Sequence, residues 1–222
     1  MTIFNNTVED IIRYAVNRHY TVEQKSDGSY VTSADKKISQ ELQDYYGRMF
    51  PNAAVISEEN EIRDYNAEHI FVIDPLDGTE NFVSGIPIFG TSISYYRNLQ
   101  HTYSMLYFPK FDSFISTKYY PTVYKPKSRI VALSSSLSLS EIQEQQEGEE
   151  YRILGCCTYS LYGVIKGYFK SYFNPRVNTW DILAGINIAV KSGCTVIIDG
   201  KEWHGEFLRA DKKYSCYVKN NY

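Results

Sequence analysis

The chain has 222 residues, 43% of them hydrophobic and 22% charged, which is the ordinary composition of a globular protein with one large domain or two small ones sharing a core. Its formal net charge is -3, so it lacks the basic field of a nucleic-acid binder. A site for an anion would have to rely on metal ions or on local backbone donors.

The cysteines argue against a zinc cluster and against a disulfide framework, because Cys156 and Cys157 are adjacent and no CxxC spacing occurs. The first 14 residues lack a basic segment followed by an apolar run, and no apolar stretch reaches membrane-spanning length. These features predict a cytoplasmic protein that binds neither a membrane nor nucleic acid.

Two helices are predicted at the start of the chain. Thr7 is a candidate N-cap for the first, and the second is predicted from about Ser33 to Met49, where Pro51 ends it. Between them, residues 25–29 form a polar turn typical of a mobile loop. The apolar stripe of the first helix consists of Val8, Ile11, Ile12, Ala15 and Val16.

The apolar pattern then changes to short runs that predict buried strands. Residues 53–56 form one run, which ends before Glu58 and Glu59, and residues 70–73 form another, which ends at Asp74. Each strand would therefore deliver carboxylates at its carboxyl end. Further strands are predicted at 91–96, 103–108 and 113–118.

The second half alternates strands and helices, so the sequence predicts a mixed α+β class with two halves, 1–124 and 125–222. A long helix is predicted after Asn178 or Thr179 and ends at Ser192 and Gly193. The other predicted elements are strands at 130–133, 151–154, 168–173, 195–198 and 215–218, and helices at 140–146 and 158–166.

Six carboxylates lie where predicted elements begin or end. Each like-charged pair at ~4 Å costs roughly 1–4 kcal/mol, so a cluster of them needs divalent cations to neutralise it. Oxygen ligands without His or Cys favour Mg²⁺ or Mn²⁺ over zinc. The six residues are Asp35, Glu58, Glu59, Asp74, Asp77 and Asp181.

The segment 74–79 combines candidate ligands for a metal and for phosphate. Asp74, Asp77 and the Leu76 carbonyl could turn toward one point, and the backbone N–H groups of Gly78 and Thr79 at a helix start could hold phosphate. By itself, a motif of this kind more often forms a turn with solvated carboxylates.

Several stretches together resemble the signatures of the inositol monophosphatase family. They are residues 55–59, residues 73–82 with the string DPLDGTENF, and Trp180-Asp181 followed by Gly193. Residues 30–35 are similar to the family's N-terminal motif. The order and spacing match over most of the chain.

The resemblance implies a layered α-β-α-β-α sandwich of the inositol monophosphatase and fructose-1,6-bisphosphatase type. It also implies two or three Mg²⁺ ions, or Mn²⁺ as a substitute, in a cleft between the two halves of the chain. The protein would be a homodimer. By motif position the metal ligands would be Glu58, Asp74, the Leu76 carbonyl, Asp77 and Asp181.

Catalytic roles follow from the same resemblance. Glu58 and Thr79 would orient the attacking water, Asp35 would support Thr79, and Gly78 and Thr79 would bind phosphate, with no covalent phosphoenzyme. Lys25 resembles the lysine of the family's mobile metal loop, although a solvated loop lysine fits equally well.

Substrate contacts are implied at Asp77, Cys157, Asn174 and Asp181. Cys157 stands where relatives carry Gly, and Asn174 stands where inositol-preferring members carry Glu, so the substrate is less well defined than the reaction. The expected small phosphorylated metabolite is an inositol monophosphate, with adenosine 3′,5′-bisphosphate or a sugar bisphosphate as alternatives. A regulatory or binding protein with weak or vestigial hydrolysis is the alternative from another class.

Overall fold

Two helices and a two-stranded hairpin open the fold. The computed structural model describes residues 3–60, 64–120, 128–145 and 150–221. The first elements are α1 (Asn6–Val16), β1 (Val22–Gln24), β2 (Tyr30–Thr32) and α2 (Ser33–Met49), of which β1 and β2 pair antiparallel.

The start of α1 corrects the predicted cap. Asn5, not Thr7, is the N-cap, and its side-chain oxygen accepts a 3.2 Å hydrogen bond from the backbone N–H of Val8. Asn5 has the extended backbone that a cap requires, whereas Thr7 already lies within the helix. Helix α2 has the predicted bounds because Thr32 caps it.

A five-stranded sheet follows, in the order β3-β4-β5-β6-β7. The pair β3 and β4 is parallel and the other pairs are antiparallel. The elements are β3 (Ala54–Ser57), β4 (His69–Asp77), the short helix α3 (Thr79–Val83), β5 (Gly90–Arg97), β6 (Gln100–Phe108) and β7 (Ser113–Ser116).

A six-stranded mixed sheet forms the rest of the molecule, in the order β12-β11-β13-β10-β8-β9. The strands of this sheet and the helices between them in the chain are β8 (Ile130–Leu133), α4 (Leu139–Gln143), β9 (Glu150–Ile153), α5 (Cys157–Ile165), β10 (Ser171–Val177), α6 (Thr179–Lys191), β11 (Thr195–Ile198), β12 (Lys201–Glu202) and β13 (Tyr214–Lys219).

Strand β4 shows why the chain forms layers, since both of its faces are buried. Ile70 and Val72 belong to one hydrophobic cluster and Phe71 and Ile73 to another, as the two-residue period of a strand requires. Helices α1 and α2 cover the face of Phe71, and α5 and α6 lie between the other face and the second sheet. A smaller cluster joins Ile142 of α4 to the outer face of that sheet. The predicted α+β class and layered sandwich are confirmed.

The ends of several elements differ from the prediction. Strand β10 begins at Ser171 rather than at 168, because the backbone N–H groups of Tyr168 and Phe169 bond to the carbonyl of Gly163 and close the turn after α5. It continues through Pro175, which lies at a register shift where a missing N–H is tolerated.

The boundary predicted between residues 124 and 125 lies outside the described residues, so the division into 1–124 and 125–222 stays a prediction. Strands of the five-stranded sheet precede that boundary and strands of the six-stranded sheet follow it. Within the described ranges, no helix has both the length and the hydrophobicity needed to cross a bilayer.

Candidate active site

A cleft of about 210 Å³ gathers most of the predicted site residues. The carboxyl ends of the parallel strands β3 and β4 approach it, as do the amino ends of α5 and α6. Asp35 lies behind the residues that line the cleft and accepts a hydrogen bond from the hydroxyl of one of them, Thr79. The predicted residues that line the cleft are Glu58, Asp74, Leu76, Asp77, Gly78, Thr79, Cys157, Asn174 and Asp181.

Strand β4 does not end at Asp74 but continues to Asp77. Asp74 pairs with Ser92 of β5 and Asp77 pairs with Gly90, so β4 contains one more residue than β5 over this stretch. The extra residue forms a bulge. Residues three apart in a regular strand point to opposite faces, and the bulge allows both aspartates to line one cleft.

Three carboxylates from three different elements meet in the cleft. Glu58 follows β3, Asp74 lies on β4 and Asp181 lies in the first turn of α6, and each offers an oxygen within 4.8 Å of the other two. Asp74 is only 1% exposed, so water screens its charge poorly. An all-oxygen set of this kind fits Mg²⁺ or Mn²⁺.

The ionisation of this group reflects its burial. Burial raises the pKa of Asp74 well above its usual value, and the charges of Asp77, Glu58 and Asp181 add to the rise. Burial likewise raises the pKa of Asp181 to about 8, with further contributions from Asp77 and Glu58. The metal-free cluster therefore retains protons near neutral pH, and a bound cation would favour their release.

Asp77 is held by α5. Its Oδ2 accepts a hydrogen bond from the backbone N–H of Thr158 and lies 3.2 Å from the Cys156 Sγ, whose thiol donates. Burial raises the pKa of Asp77, and these hydrogen bonds oppose the rise. Among the described residues, the group of three close carboxylates does not include Asp77, so its role as a ligand stays a prediction.

The hydroxyl of Thr79 lies between two acceptors. Its Oγ1 is 2.9 Å from Asp35 Oδ1 and 2.9 Å from the Leu76 carbonyl. Asp35 is fixed in turn, because its Oδ2 accepts from both the backbone N–H and the hydroxyl of Thr32. The expected support of Thr79 by Asp35 therefore corresponds to a direct hydrogen bond.

Gly78 makes the turn from β4 into α3. Its φ of 86° and ψ of 37° lie in the left-handed region, which favours glycine. A Cβ there would lie 3.0 Å from the Ile88 carbonyl oxygen and 3.2 Å from the Cys156 Cβ. Any other residue would be strained and would press against the start of α5.

Lys25 places an internal cation beside the carboxylates. Its Nζ lies 2.7 Å from Glu58 and 2.9 Å from Glu59, and its side chain is 26% exposed. Burial lowers the pKa of Lys25, but the hydrogen bonds to the two glutamates outweigh burial and raise the pKa overall. Lys25 follows β1 directly, so the hairpin β1-β2 positions it.

Neutral polar groups line the far side of the cleft, and of these Asn174 was predicted from the sequence, whereas the serines and Tyr172 were not. Serines 134–136 follow β8, and Tyr172 lies on β10. Asn174 is buried, donates to the Tyr172 hydroxyl at 3.1 Å and accepts from the backbone N–H of Arg176 at 3.1 Å. A polar run directly after a predicted strand is the signal that located Glu58, and it could have located the serines.

Arg176 lies at the edge of the cleft. Its guanidinium donates to both carboxylate oxygens of Glu141, at 2.8 and 3.1 Å, and to the Ser136 carbonyl at 3.0 Å. The hydrogen bonds from Arg176 and Ser138 lower the pKa of Glu141 to about 2. The pair links α4 to β10, and it joins residues 35 apart, so no local pattern predicts it.

Burial disfavours ionisation of the two thiols of the cleft, those of Cys156 and Cys157. Burial raises the pKa of Cys157 well above its usual value, and the charges of Asp77 and Asp181 add to the rise. The pKa of Cys156 is raised for the same reasons, burial first and then the charge of Asp77. A protonated thiol is a poor attacking group.

The model of the inositol monophosphatase family matches residues 4–216. This chain belongs to the inositol monophosphatase family. Members of the family are phosphatases that hydrolyse phosphate monoesters, and the chain is an enzyme of this class.

Two relatives illustrate the range of the family. The fructose-1,6-bisphosphatase/inositol-1-monophosphatase of Aquifex aeolicus is 25% identical over 227 positions, covering 87% of this chain and 86% of its own. The inositol-1-monophosphatase of Mesorhizobium japonicum is 25% identical over 194 positions, covering 78% and 73%.

Solved structures show the same fold. A staphylococcal inositol monophosphatase with bound products has a TM-score of 0.83 at 21% identity, covering 97% of this chain and 87% of its own. A dual inositol monophosphatase/NADP phosphatase with Mg²⁺ and phosphate has a TM-score of 0.81 at 20% identity and the same coverage.

Proposed function

We propose that this inositol monophosphatase-family phosphatase hydrolyses the monoester of a small phosphorylated polyol, with an inositol monophosphate as the first candidate. The observation that carries the proposal is the convergence of Glu58, Asp74 and Asp181 in the cleft that Thr79 lines, with its hydroxyl bonded to Asp35. Without a neutralising cation, three carboxylates would repel a phosphate dianion. With one, they supply an oxygen-lined site.

The metal would be Mg²⁺, or Mn²⁺ in its place, and we infer two or three ions. Glu58, Asp74 and Asp181 would hold them, together with Asp77 and the Leu76 carbonyl. Bound ions of this kind neutralise phosphate and lower the pKa of a bound water. The buried carboxylates fit such ions because their own charges are otherwise destabilised by burial and mutual repulsion.

Thr79 would orient the attacking water. A hydroxyl has one proton, so Thr79 can donate either to Asp35 or to the Leu76 carbonyl, each 2.9 Å away. When the carbonyl serves as a ligand, donation to Asp35 is the remaining choice. The lone pairs of the Thr79 hydroxyl are then free to accept a hydrogen bond from water, and Glu58 would act as a second acceptor.

The backbone N–H groups of Gly78 and Thr79 would bind the phosphate oxygens. The N–H groups at the start of a helix have no partner within that helix and therefore suit an anion. We infer from the family resemblance that water attacks phosphorus directly, and burial of the Cys156 and Cys157 thiols, which raises the pKa of each, makes them poor competing nucleophiles.

The far side of the cleft favours an uncharged leaving group. Serines 134–136, Tyr172 and Asn174 present hydroxyl and amide groups, which match the hydroxyls of a polyol. We infer further substrate contacts at Asp77, Cys157 and Asp181. The cleft volume of about 210 Å³ lies below the roughly 300–1,000 Å³ of pockets for drug-sized ligands, which suits a small metabolite.

A sugar bisphosphate is the second candidate, and Arg176 is the observation that favours it. Its pair with Glu141 is exposed, and such pairs contribute ~1 kcal/mol or less, so a second phosphate could replace Glu141 as the partner of Arg176. If so, Arg176→Gln should raise KM for fructose 1,6-bisphosphate by about tenfold and leave KM for an inositol monophosphate nearly unchanged.

The main test is phosphate release from inositol 1-phosphate, fructose 1,6-bisphosphate and adenosine 3′,5′-bisphosphate, each with Mg²⁺ and with EDTA. We expect Mg²⁺-dependent turnover that is fastest with inositol 1-phosphate. Asp181→Asn should lower kcat by about a hundredfold or more, since even outer-shell changes at metal sites cost about 10–100-fold.

Asp211→Asn is the matched control, because this exposed carboxylate pairs with Arg209 outside the lining of the cleft. It should retain the activity of the unmodified chain. Equal activity of the Asp181 and Asp211 variants would rule out Asp181 as a metal ligand. Faster turnover of another substrate would make that compound the first candidate in place of inositol 1-phosphate.

The family resemblance also implies a homodimer, and the sequence features described above predict a cytoplasmic protein. Sedimentation equilibrium of the purified chain would test the first expectation, and fractionation of its native cells would test the second.

A further inference from the structure

A second cavity, of about 180 Å³, lies where the end of α1 approaches the start of α2. Three residues able to carry positive charge line it, Arg18, His19 and Lys37, together with the rings of Tyr14 and Tyr20. None of the described lining residues is acidic, and none lines the active-site cleft. In a chain of net charge -3, this makes the cavity a local concentration of positive groups.

Two of the cations meet over a single ring. The guanidinium carbon of Arg18 lies 3.9 Å from the centroid of the Tyr14 ring, and the Lys37 Nζ lies 5.5 Å from the same centroid. Tyr14 therefore holds both cations at one place despite their mutual repulsion. Within the described ranges, no carboxylate lies within ion-pair distance of Arg18.

Lys37 has a weak partner that an anion could replace. Its Nζ lies 2.6 Å from Glu41, one turn further along α2, and the two side chains are 44% and 36% exposed. Exposed pairs of this kind contribute little to stability. A doubly charged oxyanion between Arg18 and Lys37 would interact with both at once and would relieve their repulsion.

We propose that this cavity is a second anion site, which binds an oxyanion of the phosphate type: inorganic phosphate or the phosphate group of a small metabolite. Its volume of about 180 Å³ is close to that of the active-site cleft, so it admits a small anion.

The site contacts the active site through Tyr20. The ring of Tyr20 lines the cavity, and its centroid lies 4.5 Å from that of Phe82 on α3. The backbone N–H of Phe82 in turn donates to the carbonyl of Gly78 at 2.9 Å. An anion in the cavity therefore changes turnover through α3. This consequence rests on the proposed function, whereas the binding of the anion does not.

Binding is tested by thermal unfolding of the full chain in EDTA, with phosphate compared against chloride at equal ionic strength. EDTA leaves the carboxylate cluster without cations, so the cleft has little attraction for phosphate. Phosphate should raise the Tm in a saturable way, because it binds the folded state. The double variant Arg18→Gln with Lys37→Gln should lose this rise.

The matched control removes two exposed lysines elsewhere, Lys201→Gln with Lys213→Gln, and should keep the rise. The site is overturned if phosphate does not raise the Tm of the unmodified chain more than chloride does, or if it raises the Tm of both double variants equally.

A kinetic measurement tests the link to the active site. Sulfate, an oxyanion that is not a product, should change kcat at saturating Mg²⁺ and inositol 1-phosphate by about twofold or more. Tyr20→Leu should keep the phosphate-dependent Tm rise but lose the effect on kcat. An effect of sulfate on KM alone would overturn the link between the second anion site and turnover. If no substrate is hydrolysed, the proposed function is overturned, and the Tm measurement still decides whether the anion site exists.

Discussion

Asp74 and Asp181 illustrate how single residues are set for cation binding. The pKa of each carboxyl is raised, first by burial and then by neighbouring carboxylates. The metal-free protein thus binds protons where a metal-bound protein would hold ions instead. Proton uptake and cation binding should compete at the same oxygens.

The stability of the metal-free protein should therefore fall as pH rises. The pKa of Asp181 is about 8 in the folded state and about 3.9 in an unfolded chain. Its contribution to stability is full below the unfolded pKa and is lost as pH rises through the folded one. Calorimetry in EDTA should show a Tm that falls as the pH is raised from about 5 to about 8. Each kcal/mol lost from the free energy of unfolding corresponds to a fall in Tm of about 2–4 °C.

Asp181→Asn cannot ionise, so its Tm should fall less over the same range, while Asp211→Asn should follow the unmodified chain. Parallel curves for all three proteins would contradict the assignment of the raised pKa to Asp181.

Sequence reasoning located the residues that are close in the chain or that end an apolar run. Asp74, Asp77 and Thr79 fall within one motif, and Glu58 follows a strand. The bulge in β4 was not predicted, since an extra residue is defined only by its pairing with β5. The bond from Thr158 to Asp77 joins residues 81 apart and leaves no local pattern.

At the scale of elements, the hairpin β1-β2 positions the Lys25 ammonium group beside the proposed metal site. Replacing Lys25 with Met removes the charge that neutralises Glu58 and Glu59. The metal-free variant should have a lower Tm, and its affinity for the first Mg²⁺ ion should rise severalfold, because the ion no longer competes with an ammonium group. Calorimetric titration with Mg²⁺ would measure this affinity.

Lys36→Met is the control for this change, since Lys36 pairs with Glu23 on an exposed surface. Unchanged Mg²⁺ affinity in the Lys25 variant would show that Lys25 does not compete with the metal.

The packing of α5 against α6 depends on the small size of Gly185. A Cβ at this position would lie 2.5 Å from the Leu161 Cδ1 and 2.9 Å from its Cβ. Gly185→Ala should lower the free energy of unfolding by about 1–3 kcal/mol through overpacking. Urea unfolding would measure it.

Gly47 provides the opposite case on α2, because an added Cβ would meet nothing within 4 Å. Gly47→Ala should raise the free energy of unfolding by about 0.5–1 kcal/mol, through helix propensity alone. A change of the same sign in both variants would contradict this account of the helix contact.

The elements that sequence reasoning placed best were those with a strong period. Helix α2 and strands β8 and β11 have the predicted bounds. The strands β1, β2 and β12 were not predicted, because each has only two or three residues and little apolar content. Their positions depend on pairing rather than on local pattern.

At the scale of the whole molecule, the proposed halves share one core. Helices α5 and α6 belong to the second half but cover a face of the first sheet. Residues 1–124 alone would expose that face, including Ile56, Ile70 and Phe108, at about 1.5–3 kcal/mol for each side chain. We expect no cooperative unfolding transition from this fragment.

Circular dichroism during thermal unfolding of fragments 1–124 and 125–222, separately and mixed, would test this. Mixing should restore a cooperative transition. A cooperative transition in either fragment alone would show that the halves are independent domains.

The position of β4 in the sheet has a final consequence for the exchange of backbone protons with solvent. Residues 70–73 of β4 pair with β3 on one side and with β5 on the other, and their side chains are buried on both faces of the sheet. Such segments open only with the whole molecule. The backbone amides of this stretch should therefore exchange with solvent only through global unfolding, whether or not a cation occupies the cleft at its end.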